Sequence, residues 1–123
     1  MARILVVDDD PDITFAVSLF LKKDQHDVYT AASRAQGMEA VKTIKPDLLI
    51  LDVMMEQPDD GIAMAQELRR TGHTLPIVML TNVGKVTGMT YDRDNDLVPV
   101  DAFFEKPVMP EQLLKTVTQL LRK

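Results

Sequence analysis

Three stretches of the chain are unbroken apolar runs, at Ile4–Val7, Leu48–Leu51 and Ile77–Leu80. A strand with one wet face alternates apolar with polar residues, whereas a strand covered on both faces reads as continuous apolar sequence. The three runs therefore predict central strands of a parallel sheet, over about 3–7, 47–52 and 76–81. Two more runs, Asp27–Ala31 and Asp101–Glu105, mix polar with apolar positions and predict edge strands.

Between the runs the period changes to that of a helix. Ile13, Val17, Phe20 and Leu21 share one face. They follow Asp10, an N-cap candidate, and Pro11, whose fixed φ and missing N–H suit the first helical position. Ser33 and Gln36 form a capping-box pattern ahead of Met38, Val41 and Ile44. A third helix is predicted over about Ile62 to Arg70, with Met64, Ala65 and Leu68 inward. The last starts near Pro110 and carries Leu113, Val117, Leu120 and Leu121, with Met109, a poor capping residue, in front of it. Residues 83–100 contain Gly84, Gly88, an acidic run at 92–96 and Pro99, which predict one weak or broken helix and a long polar loop.

Strand alternating with helix five times predicts an α/β doubly wound fold with right-handed crossovers. The 123 residues fit one domain, 1–123, with room for a core. The net charge of −5 argues against a general nucleic-acid or acidic-membrane surface. The absence of cysteine excludes disulfides and thiolate metal sites. No apolar run reaches membrane-spanning length and no signal-peptide pattern opens the chain, so the expected location is cytoplasmic.

In such sheets ligands bind beyond the carboxyl ends of the strands. Asp8 and Asp9 follow the first strand, Asp52 ends the third, Thr81 ends the fourth, and Lys106-Pro107 follows the fifth. A parallel sheet gathers all of them on one rim. Three carboxylates that close do not all ionise cheaply without a cation. Magnesium suits them, since it takes one or two carboxylates, several waters and a phosphate oxygen. With a lysine and a hydroxyl beside them, the set reads as a site where a carboxylate attacks phosphorus. Any one of these residues alone is more often a cap or a solvated charge; the reading rests on the set.

The motifs "VVDDD", "LILDVMM", "DG" at 60–61, "VMLT" and "FFEKP", in this order, resemble those of a response-regulator receiver domain of two-component signalling, over nearly the full length. The resemblance implies a flavodoxin-like sheet of five parallel strands in the order 2-1-3-4-5, with helices on both faces and, here, an irregular fourth helix. It implies Asp52 as phosphoacceptor and Mg2+ held by Asp8, Asp9, Asp52 and the backbone carbonyl of Met54. It implies that Thr81 and Lys106 contact the phosphoryl group, that Pro107 follows a cis bond, and that Thr81 and Phe103 form the switch. The implied partners are a sensor histidine kinase or phosphotransfer protein, and an output domain or docking partner read through the fourth helix, fifth strand and fifth helix. A phosphorylation-dependent dimer is a further implied state; direct nucleic-acid or membrane binding is not. The chain would then be a signalling phosphoacceptor, with at most self-phosphorylation from small donors and self-dephosphorylation, and not an enzyme in the ordinary sense.

The chain departs from the family pattern in three places. "DVMMEQPDDG" is one residue longer than usual, the stretch between Thr81 and Lys106 is longer by about three residues, and Asn82 stands where a small residue is common. Met54 and Val83, two residues past the acceptor and the threonine, are both apolar, which predicts slow loss of the phosphoryl group. A magnesium-dependent phosphatase with an aspartyl-phosphate intermediate is one alternative, but Met54 stands where a second acid is needed. An FMN-binding flavodoxin-like module is another, but aspartates replace the phosphate loop. The "DRDND" run lacks the glycine and the bidentate acid of a calcium loop. His26 and His73 read as isolated polar loop residues.

Overall fold

The computed structural model describes residues 2–52, 60–82, 100–106 and 109–122. The element order is β1 (Arg3–Val7), α1 (Pro11–Lys23), β2 (Asp27–Ala31), α2 (Arg34–Ile44), β3 (Leu48–Asp52), α3 (Asp60–Arg70), β4 (Ile77–Asn82), β5 (Ala102–Lys106) and α4 (Pro110–Leu121). The five strands form one parallel sheet in the order β2-β1-β3-β4-β5. This is the expected doubly wound arrangement, with β2 and β5 at the edges. The expected irregular helix falls within 83–99, outside the described residues, so α4 here is the C-terminal helix.

The apolar runs bury two separate rows because successive strand side chains point to opposite faces. Leu5, Val7, Leu49, Leu51, Ile77 and Met79 pack with Val41 of α2 and with Met64, Ala65 and Leu68 of α3. Ile4, Val6, Leu48, Ile50, Val78 and Leu80 pack with Val17 and Leu21 of α1 and with Leu113, Val117 and Leu120 of α4. Every residue of β3 is buried, as its unbroken pattern requires. At roughly 1.5–3 kcal/mol per fully buried large aliphatic side chain, these two rows are the main source of stability. Edge strand β2 is covered only in part, and Tyr29 is exposed.

Helix entries follow the sequence closely. The Asp10 carboxylate accepts the Asp12 N–H at 2.9 Å, and Pro11 opens α1. Ser33 Oγ accepts the Gln36 N–H at 3.2 Å. The reciprocal bond differs from the simple capping box, because Gln36 Oε1 reaches Ala32 N–H at 2.9 Å, one residue before the cap. Met109 occupies the N-cap of α4 with no side-chain hydrogen bond. Helix α3 starts at Asp60, two residues earlier than expected. Its first residues are an acid and a glycine, which carry no apolar period, while a carboxylate in the first turn is favoured by the helix dipole.

The helix layers sit close to the sheet. A Cβ at Gly37 of α2 would lie 2.9 Å from Met64 Cε and 3.0 Å from a Val7 methyl. Gly37 thus lets α2 approach Val7 at the end of β1, immediately before the carboxylates that follow it.

Candidate functional site

Chain direction puts the carboxyl ends of all five strands on one rim. There Asp8, Asp9 and Asp52 each place a carboxylate oxygen within 4.8 Å of the others. Asp8 and Asp52 are only 2% and 4% exposed, whereas Asp9 is open to solvent. Two carboxylates are thus held almost dry beside a third that faces water.

Their placement follows from local bonding. Asp8 continues β1, and its N–H donates to Ala31 O at 3.1 Å, which ties the site to the end of β2. Its Oδ1 accepts the Asp10 N–H at 2.9 Å, so the carboxylate is oriented by the turn that starts α1. Asp10 then caps α1 in the same manner. The three consecutive aspartates divide accordingly: Asp8 and Asp9 join the cluster, and Asp10 does not. Asp52 is the last residue of β3 and pairs in register with Leu80 of β4.

Thr81 lies one residue beyond Leu80 and pairs with Glu105, while Asn82 pairs with Lys106. The backbones of Thr81 and Lys106 therefore reach the same rim as Asp52, at the ends of their strands. Met54 and Pro107 lie outside the described residues. Phe103 pairs with Met79 in mid-strand and is half-buried against the face covered by α2 and α3.

The donor set suits a hard divalent cation such as magnesium. Three hard oxygen ligands come from two strand ends, and no nitrogen or sulfur donor belongs to the group. One exposed member leaves room for the waters that magnesium retains. The first turn of α3 stands behind this rim. Asp60 there is 7% exposed, and the Arg34 guanidinium lies 4.0 Å from it and 2.9 Å from Glu67. That pair of contacts ties the start of α2 to α3.

A match to a known family identifies the domain that carries this rim. The family model for the response regulator receiver domain matches residues 4–118. The chain belongs to the response regulator receiver domain family. Among curated relatives of this receiver domain, the DNA-binding dual master transcriptional regulator RpaA of Synechocystis is 35% identical over 125 residues, covering 100% of this chain and 50% of that protein. The alkaline phosphatase synthesis transcriptional regulatory protein PhoP of Bacillus subtilis is 33% identical, covering 98% of this chain and 49% of its own length. The receiver domain spans about half the length of the curated relatives it matches. Among solved structures, the receiver domain of NtrX from Brucella abortus superposes with a TM-score of 0.85 at 27% identity, covering 98% of each chain. The BeF3-activated N-terminal receiver domain of RstA from Klebsiella pneumoniae gives 0.80 at 27% identity, covering 98% of this chain and 99% of that one. The phosphatase and FMN-module alternatives are not favoured by these likenesses. No helix among the described residues is long and apolar enough to cross a membrane.

The opposite end of the sheet holds three arrangements that the sequence reading missed. Arg69 donates to the carbonyls of His73 and Leu75 and to Asp101 Oδ2 at 3.1 Å, and that same oxygen accepts the Ile77 N–H at 2.8 Å. Arg3 donates to Ile44 O, and its own N–H donates to Asp47. His26, read as an isolated loop residue, is largely buried; its Nδ1 accepts the Ala2 N–H at 3.3 Å and its Nε2 lies 3.5 Å from Asp24. Main-chain partners leave no mark in sequence, which is why these were not legible.

Proposed function

We propose that this receiver domain accepts a phosphoryl group from the phosphohistidine of a sensor histidine kinase or phosphotransfer protein, and that Asp52 is the acceptor. The observation that carries the proposal is the trio of Asp8, Asp9 and Asp52, two of them nearly dry, on the strand-end rim. A carboxylate oxygen of Asp52 attacks phosphorus in line. The P–O bond forms as the P–N bond to the donor imidazole breaks, and the imidazole nitrogen keeps the electron pair. Asp8 and Asp9, with Asp52 itself, would hold Mg2+. When bound, that ion neutralises charge on the transferred phosphoryl oxygens.

The chain's own groups do the rest. The Asp8–Asp10 bond fixes the orientation of one ligand carboxylate before any cation arrives, which lowers the cost of assembling the site. Burial of Asp52 keeps water from the acyl phosphate on the protein side. Lys106 and Thr81, at the ends of β5 and β4, are proposed to contact the phosphoryl oxygens. On α1, which starts directly after the cluster, Phe15 and Leu19 are 68% and 42% exposed one helical turn apart. An apolar pair on an otherwise polar helix face suits docking of the donor protein beside the acceptor. The output would be read on the side of β5 and α4, with Phe103 reporting the state of the rim.

The test is intact mass after incubation with a small phosphodonor and magnesium. Wild type gains one phosphoryl group, and Asp52→Asn gains none. Transfer to the Asp52→Asn protein, or no transfer to wild type from either a small donor or a histidine-kinase phosphodonor, overturns the proposal.

A further inference from the structure

We propose that Met109 is a methionine oxidation site whose sulfoxide supplies the cap that α4 otherwise lacks. This goes beyond the phosphoacceptor reading and does not depend on it. Met109 is 59% exposed, whereas Met64 and Met79 are fully buried and Met38 is half-buried against the core. Thioether oxidation follows exposure, and the chain has no cysteine to consume oxidant first. Among the described methionines, Met109 is the one a small peroxide reaches freely.

The position gives the modification a consequence. Met109 is the N-cap residue of α4, with extended backbone at φ −77° and ψ 127° and no side-chain hydrogen bond. Pro110 has no N–H. The first intrahelical bond runs from Leu113 N–H to Met109 O at 3.0 Å. The N–H groups of Glu111 and Gln112 therefore have no acceptor within the helix. A thioether accepts hydrogen bonds weakly. A sulfoxide oxygen is a strong acceptor on the same side chain, at the reach of a glutamine Oε1. In the step, Met109 Sδ attacks one oxygen of hydrogen peroxide, the S–O bond forms as the O–O bond breaks, and the other oxygen leaves as water. Sulfur is oxidised by two electrons and peroxide is reduced by two. The new acceptor sits two residues after the Lys106-Pro107 pair.

The experiment treats the protein with graded hydrogen peroxide, maps each methionine by peptide mass, and follows amide exchange in α4. Met109 is expected to oxidise well before Met64 and Met79. Exchange at Glu111 and Gln112 is expected to slow by about fivefold, the effect of an ordinary cap. Met109→Gln is expected to show the slowed exchange without peroxide. Met109→Leu is expected to show no change in α4 on treatment, which separates this residue from other methionines that oxidise. Oxidation of Met64 or Met79 ahead of Met109, or unchanged or faster exchange at Glu111 and Gln112 in both oxidised wild type and Met109→Gln, overturns the proposal.

Discussion

Removing one buried charge from the acidic rim should make the cation-free protein more stable, and should remove most of its response to magnesium. The informative change is Asp8→Asn. Two unit charges 4.8 Å apart repel by about 3–4 kcal/mol at an effective dielectric near 20. The pairs that include the exposed Asp9 are screened to well under about 1 kcal/mol. The Asp8–Asp52 pair is not, because both residues are nearly dry. The Asp10 N–H on Asp8 Oδ1 recovers roughly 1.5–3 kcal/mol of that cost. Asp8 and Asp52 each make further interactions, so at most about 1 kcal/mol of repulsion is expected to remain in the absence of a cation. An asparagine amide oxygen still accepts the Asp10 N–H, so the substitution removes charge and keeps the bond.

The assay is thermal or urea unfolding in chelator and in magnesium. In chelator, Asp8→Asn should gain up to about 1 kcal/mol, which for a domain of this size is a rise of up to roughly 3–5 °C in Tm. Magnesium at ten to a hundred times its Kd should stabilise wild type by about 1.4–2.7 kcal/mol, and the variant by less than about 0.5 kcal/mol. If Asp8→Asn is no more stable than wild type in chelator, the repulsion argument is wrong. If magnesium stabilises both equally, Asp8 is not part of the cation site.

Three further outcomes are expected. Gly37→Ala should destabilise by about 1–2 kcal/mol in a urea titration, although alanine ordinarily favours a helix, because its Cβ would press on Met64 and on the stiff, fully buried Val7. Arg69→Ala should cost about 1–3 kcal/mol by the same measurement, with Arg69→Lys recovering less than half, since lysine lacks the fork that spans two carbonyls and Asp101. Met54→Asn with Val83→Glu should speed loss of the phosphoryl group from Asp52 severalfold by supplying groups that orient water; an unchanged decay of the phosphorylated mass would count against the apolar-position argument.

How much of this could be read beforehand depended on the kind of signal. The central strands were legible because burial on both faces forces an unbroken apolar run, and the edges because β2 is covered only in part. Asp8, Asp9 and Asp52 were legible because Asp8 and Asp52 each directly follow such a run and Asp9 comes next after Asp8, so sheet direction alone brings them together. The start of α3 was missed by two residues, since an acid and a glycine carry no period. The roles of the residues at the opposite end of the sheet were missed for a different reason. Arg69 and Asp101 are 32 positions apart and bond directly, while Arg69 also holds two carbonyls, and His26 is held by a main-chain N–H from Ala2. Met54, Val83 and Pro107 lie outside the described residues, so their expected parts in the site rest on the family pattern.

The sheet also dictates the route by which a change at Asp52 could reach Phe103. By strand alternation, Asp52 continues the row of Leu48 and Ile50, on the side covered by α1 and α4. Phe103 packs with Met79 on the other side, against the cluster covered by α2 and α3. Between them stands β4, whose Leu80 pairs with Asp52 and whose Met79 pairs with Phe103. A change at Asp52 therefore has to pass from one face of the sheet to the other to reach Phe103. The route we propose runs around the carboxyl end of β4, past Thr81 and Asn82. Thr81→Ala should therefore still accept a phosphoryl group at Asp52 while leaving Phe103 unresponsive. The readout is the intrinsic fluorescence of Phe103→Trp, in a chain that has no other tryptophan. With Thr81 present, phosphorylation should change the emission; with Thr81→Ala, intact mass should still show the phosphoryl group and the emission should stay at its starting value. An equal emission change with and without the Thr81 hydroxyl would mean that the signal crosses the sheet by another path.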